Sequence, residues 1–145
     1  MERPKLNYLA ILVSAVIWWI IGALWYSPVL FGNAWMQITG MTAEMAAGMS
    51  PLLIYAMPLI AYLIACYVLA HAVVYAKATS AGTGALVGFW NWLGFVGAIM
   101  FVTVGFQNKP FTLWLIDAGY DLVGLLIAGI ILAIWKPKSA APAIA

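Results

Sequence analysis

Four stretches of this chain are each long and apolar enough to cross a lipid bilayer, and they leave little sequence over for anything else. They cover residues 6–26, 51–76, 83–106 and 111–135. A hydrocarbon core about 30 Å thick is spanned by about 20 helical residues at roughly 1.5 Å each. Of the 145 residues, 67% are hydrophobic and 7% charged. A soluble domain carries about 25% charged residues, so a soluble globular fold is excluded. The first run follows Arg3 and Lys5 but exceeds the roughly 7–15 apolar residues of a secretory leader. With no small-x-small cleavage site after it, it is expected to remain as a helix.

The breaks are legible. Ser27-Pro28 ends the first span, because the residue before a proline is pushed out of the α region. Thr79 to Gly82 form a short polar turn whose hydroxyls can cap the third helix. Asn108-Lys109-Pro110 leads into the fourth, with Pro110 suited to the first helical position. Lys136-Pro137 closes it. Residues 1–138 therefore read as one four-helix transmembrane domain, followed by a flexible tail over 139–145.

Lysine and arginine set the orientation. With the N-terminus inside, Arg3, Lys5, Lys77, Lys136 and Lys138 fall on the cytoplasmic side and Lys109 alone falls outside. Both termini are expected in the cytoplasm, with the cell inner (plasma) membrane as the location. The lipid bilayer is the first partner, and a homo-oligomer would bury polar faces more fully. A net charge of +2 is too small for a nucleic-acid binder, whose affinity rests on many phosphate contacts.

In lipid, small residues mark helix contacts because they let backbones approach. The third span offers Gly84, Gly88, Asn91, Ala98 and Gly105 at heptad spacing, and the fourth offers Asp117, Asp121, Gly124 and Ala128. The expected arrangement is a close antiparallel hairpin with Asn91 and both aspartates inside. Pro58 should kink the second span, whose stripe reads Tyr55, Pro58, Tyr62, Ala65 and Ala72. Counting rise from the outer boundary puts Tyr55 and Asp117 at about 6 and 9 Å depth. Tyr62 and Asp121 fall at about 16 and 15 Å by the same count.

Asp117 and Asp121 are the most informative residues. They lie one turn apart, and an aspartate near the bilayer centre costs at least about 2.5–3.5 kcal/mol on insertion scales, so it should face the bundle interior or a watery cavity. Two ionised carboxyls about 6 Å apart repel in low dielectric, and a proton held by the pair relieves this. That is the equipment of a proton relay or cation-coupled carrier, with Asn91, Tyr55 and Tyr62 lining the path. The alternative is that hydrogen bonds among these groups only fix helix packing.

Other residues carry weaker signals. His71 is the sole histidine and points away from the tyrosine stripe. Cys66 is alone, so neither a disulfide nor a thiolate metal site can form within the chain. Thr42 can cap a short interfacial helix in the first outer loop, along which Met41, Met45 and Met49 recur. Thioethers suit Cu(I), but methionine is also a flexible packing residue. No catalytic triad, phosphate loop or metal cluster is visible, so neither an enzyme nor a cofactor is expected.

The segment Gly22-Ala-Leu-Trp-Tyr-Ser-Pro-Val-Leu-Phe-Gly-Asn-Ala-Trp35 resembles the bacterial membrane family catalogued as domain-of-unknown-function family 1761. Trp25, Tyr26, Ser27, Pro28, Phe31, Gly32 and Trp35 mark the family turn. The stretch from Trp114 to Val123, with Gly124 and Gly129, looks like the same family's last helix. The resemblance covers nearly the whole chain and implies a four-helix membrane fold but no activity. Other four-span families fit worse. Small multidrug exporters keep a glutamate in the first helix, where this chain has no acid, and quinone-linked thiol oxidoreductases need cysteine pairs. Two readings stand: a small proton- or cation-coupled transporter or channel, and a structural or accessory membrane subunit.

Overall fold

The computed structural model describes residues 4–136, so Arg3, Lys138 and the 139–145 tail lie outside the described residues. Every regular element among them is helical. Four helices are long and apolar enough to cross a membrane: Tyr8–Trp25, Leu52–Tyr75, Ala81–Phe106 and Phe111–Ile134. The first is α1 (Tyr8–Trp25), capped by the Asn7 side chain accepting from the Ala10 N–H. The Asn7 amide also donates to the Trp135 carbonyl at 3.2 Å, so the beginning of the first span and the end of the fourth meet at one end of the bundle.

The first loop carries two helices, α2 (Gly32–Thr39) and α3 (Ala43–Ala47). Thr42 caps α3 as its position suggests, accepting from the Met45 N–H. The Glu44 carboxyl is held below its ordinary range by a backbone hydrogen bond and by the Thr42 hydroxyl. Spacing of the methionines did not announce α2, which ends on Gly40 at φ 77°.

Two of the spans are widened by a π turn. In the second span a π turn over Leu52–Ala56 precedes α4 (Met57–Tyr75). Pro58 has no N–H, and its ring would press on the Ile54 carbonyl in a regular α-helix. The Met57 N–H bonding back to Leu52 is the local answer, where the sequence pointed to a kink. In the third span α5 (Ala81–Trp92) passes through a π turn, Leu93–Gly97, into α6 (Ala98–Phe106). Ser80 and Thr83 close a reciprocal capping box at its start.

The fourth span is α7 (Phe111–Ile134), with Pro110 one place outside as its N-cap. The two short turns between spans close alike. Lys77 and Asn108 take φ 53° and 52°. The next N–H in each reaches back five residues, Ala78 to Val73 at 3.0 Å and Lys109 to Val104 at 3.1 Å.

The bundle is built around α7, which packs against α5, α1 and α4. It is also the most buried of the four spans. Its contact with α5 is backbone on backbone. A Cβ on Gly84 would run into the Gly129 carbonyl, and one on Gly88 into the Leu125 carbonyl. Gly129 returns the contact against Gly84.

Two stripes expected at this hairpin shift. On α7 the α5-facing positions are Ala118, Leu125, Gly129 and Ala133, one residue round from Asp117, Asp121, Gly124 and Ala128. On the third span Gly84 and Gly88 are buried, but Trp92 takes the next place rather than Asn91. The π turn then adds a residue, and Gly97 follows, where an added Cβ would stand 3.0 Å from the Trp92 ring. Ala98 is exposed, and Gly105 has open space around it.

Gly88→Val is expected to lower stability by about 1–3 kcal/mol through overpacking against α7. Gly94→Ala, with open space at its Cα, should be neutral or stabilising by about 0.5–1 kcal/mol. Thermal unfolding in detergent distinguishes the two.

Candidate functional site

Aromatic donors reach across the bundle into the helix backbone. The Trp25 indole N–H donates to the Ile116 carbonyl at 3.0 Å and that of Trp92 to Ala118 at 2.7 Å. Trp114 donates to Gly97 at 2.8 Å, in the π turn, and the Tyr120 hydroxyl donates to Trp18 at 2.9 Å. An indole or phenol in a nonaqueous interior needs an acceptor, and a helix carbonyl has a second lone pair to offer. Each bond joins two spans.

The chain turn after α1 is folded on itself. The Ser27 hydroxyl donates to the Leu24 carbonyl at 2.7 Å, and the Phe31 and Gly32 N–H groups return to Trp25 and Ser27 at 3.0 Å each. The Asn33 amide reaches the Pro28 carbonyl at 3.5 Å. A Cβ on Gly32 would meet the Tyr26 and Ser27 carbonyls, so glycine is required there. Phe31 packs on Trp25 with ring centroids 4.8 Å apart, and Trp35 stands edge-on to Tyr26 at 5.6 Å.

This turn lands on Asp117. The Tyr26 hydroxyl donates to the Asp117 carboxyl at 2.8 Å, and the Trp35 indole lies beside the same group. One turn deeper, Asp121 has no hydrogen-bond partner among the described residues. Tyr120 stands between the two acids in sequence and at the centre of a ring cluster. Its centroid lies 5.4 Å from Tyr26, 6.0 Å from Tyr62, 6.1 Å from Trp25 and 6.5 Å from Trp18. Gly22 makes room for its phenol, and Gly124 makes room for the Trp18 indole, which stacks on Tyr62 at 4.8 Å.

Of the five residues expected to line a path, Asp117, Asp121 and Tyr62 are brought together. Tyr55 is not among them. It is 56% exposed and meets only the edge of Trp19, at 6.2 Å. Asn91 is elsewhere too, its amide donating to the Val87 carbonyl of its own helix at 2.8 Å. The physical cause is the rotation of α7, which turns its acids toward α1 and α4 and away from α5.

The residues that sequence reasoning passed over are Tyr120, Trp18 and Ser14. The signal for Tyr120 was present, since a mid-span phenol beside two carboxyls must find an acceptor.

The remaining candidates lie apart. An open cleft of about 540 Å³ is lined by Met36 and Met41 with Asn33, Gln37 and Thr42, whereas Met45 and Met49 are exposed outside it. No cluster of three histidine, cysteine or acidic side chains placed to hold a metal occurs among the described residues. His71 donates its Nδ1 hydrogen to the Tyr67 carbonyl at 2.9 Å and lies between the rings of Tyr67 and Tyr75.

Fold and site together define a small protein of four helices long and apolar enough to cross a membrane, with an aromatic-capped acid pair in the N-terminal half of the last one. The chain belongs to the family described as a protein of unknown function (DUF1761), whose model matches residues 9–133. No curated protein and no solved structure matches it.

Tyr26→Phe should lower stability by about 1–2 kcal/mol, the net worth of a buried hydrogen bond to a carboxyl. The loss should largely vanish when Asp117→Asn is already present, which a double-mutant cycle in thermal unfolding measures.

Proposed function

We propose that this protein is a small proton- or cation-coupled transporter or channel in which Asp117 and Asp121 handle the ion. The observation that carries this reading is the asymmetry of the pair. Asp117 is held by Tyr26 at the mouth of the bundle, while Asp121, one turn deeper, has no hydrogen-bond partner among the described residues. A carboxyl of that kind inside a membrane protein is costly unless it serves a pathway or pairs with something that arrives. The glycine contacts and the indole bonds to carbonyls join the spans without Asp121, so packing supplies no reason for it.

Tyr62 and Tyr120 would line the way inward from the pair. The proposed setting is the cell inner membrane with both termini cytoplasmic, as the lysine and arginine bias favours. The chain acts without enzymatic chemistry and without nucleic acid, and homo-oligomers are compatible with its largely apolar outer face.

A second reading is favoured by the Tyr26–Asp117 bond itself. Asp117 fastens the turn after α1 to the last helix, as it would in a structural or accessory subunit.

The two readings separate at Asp121. In proteoliposomes under an imposed pH gradient, Asp121→Asn should reduce proton flux to that of empty liposomes while eluting as the same folded species. An accessory role predicts that Asp121→Asn behaves as wild type and that only Asp121→Leu loses stability.

A further inference from the structure

One end of the bundle gathers basic side chains and no acid. The Asn7 amide bonded to the Trp135 carbonyl joins the start of the first span to the end of the fourth. The start of α5 packs there too, since a Cβ on Gly84 would meet that of Ala133. Lys5, Lys77 and Lys136 therefore lie at one end of the molecule, and all three are exposed. The described carboxyls lie away from it, Glu44 in α3 and Asp117 and Asp121 in the first half of α7. These ammonium groups thus have no counter-charge among the described residues.

An outward face of α4 leads up to Lys77. Ile64, Tyr67, His71 and Tyr75 follow at intervals of three or four residues and so share one side of the helix. Cys66, Leu69, Ala70 and Val73 are buried on the other side. Ile64 is 61% exposed, Tyr67 45% and Tyr75 55%. The Nδ1 bond to the Tyr67 carbonyl sets the His71 ring between two phenols, 4.7 Å from that of Tyr67 and 6.3 Å from that of Tyr75. From Ile64 to Tyr75 the face runs about 16 Å, half of a hydrocarbon core about 30 Å thick. Lys77 follows at φ 53°, its backbone N–H held by the Val74 carbonyl at 3.0 Å.

The chemistry along this face selects the occupant. Over the depth of one leaflet it passes from apolar to aromatic to cationic. An acyl chain matches the first part, the ester and glycerol level matches the phenols, and a phosphate matches the ammonium. A phosphate that also carries choline would bring another cation to these lysines, whereas an anionic phospholipid brings none. A second copy seated here side by side in the same orientation would set its own lysines against them, and like charges across a contact oppose it.

We propose that this face of α4 binds an anionic phospholipid, with the phosphate at Lys77 and an acyl chain along Tyr67 and Ile64. Lys5 and Lys136 add to the attraction from the same end of the bundle. The inference goes beyond the ion-handling reading and does not depend on it, since Asp117 and Asp121 lie toward the other end of α7.

Native mass spectrometry of the whole protein in detergent tests this, with phosphatidylglycerol and phosphatidylcholine added at equal concentration. Phosphatidylglycerol should be retained in preference. Lys77→Gln should weaken its retention about fivefold, the worth of one basic residue beside an anionic lipid, and Lys77→Arg should preserve it. Lys109→Gln, at the opposite end of the bundle, should leave retention unchanged. Tyr67→Ala should weaken it, whereas Trp90→Ala, at an equally outward ring on α5, should not. Equal retention of the two lipids overturns the proposal, as does equal weakening by Lys77→Gln and Lys109→Gln. Equal loss from Tyr67→Ala and Trp90→Ala would mean diffuse attraction without a site on α4, and overturns it too. Inorganic phosphate that displaces the lipid at equal concentration overturns the lipid as occupant. A dimer that forms only where phosphatidylglycerol is absent, and that Tyr67→Ala breaks, assigns the face to a second copy instead.

Discussion

Close approach of two helix backbones at Gly84, Gly88 and Gly129 is the contact on which the rest of this bundle depends. In lipid the hydrophobic effect does not drive one helix onto another, so association rests on van der Waals fit and interhelical hydrogen bonds. Bare glycines bring α5 and α7 near enough for the Trp92 indole to reach the Ala118 carbonyl and the Trp114 indole to reach Gly97. With α7 docked on α5, its rotation is set. Every other face of α7, the acid pair included, is then assigned to a neighbour.

The acid pair faces α1, and α1 is held to α7 by the same kind of bond. Trp25 and Tyr120 donate in opposite directions between the two helices, to Ile116 and from α7 to Trp18. Tyr26 follows Trp25 directly and so is delivered to Asp117. The tight turn from Ser27 to Gly32 brings Trp35 back over the same carboxyl. Two segments about 90 residues apart in the chain thus form one structure, the Trp-Tyr-Ser-Pro turn and the Asp-Ala-Gly-Tyr-Asp run. Their junction covers Asp117, with Asp121 one turn further along the same helix.

Legibility in the sequence divides by range. The four spans, a hydroxyl cap from the Thr79–Gly82 turn and the Thr42 cap were readable because each is set within a few residues by apolar length or by a hydroxyl at the start of a helix. The partner of Asn91 was not. Asp117, Asp121, Gly124 and Ala128 form one stripe, and Ala118, Leu125, Gly129 and Ala133 form another next to it, each with a glycine and alanine. Composition does not say which of them meets the third span. A π turn compounds this, since the inserted residue at Leu93–Gly97 carries the buried face from Trp92 to Gly97 and breaks the heptad count. Depth matching likewise paired Tyr55 with Asp117, but depth leaves rotation free, and Tyr55 faces outward.

By itself the sequence determined that this chain lives in a membrane as four helices and that it places two carboxyls one turn apart in the last of them. Those are consequences of local apolar length and helical period, which need no partner to be true. Only the tertiary structure decided that Tyr26 holds one carboxyl and that Asp121, Ser14 Oγ and Trp18 Nε1 have no hydrogen-bond partner among the described residues. The reason is that helix rotation is settled by close contacts between distant glycines and carbonyls, and a change of one residue in that register turns every side chain on the helix by about 100°.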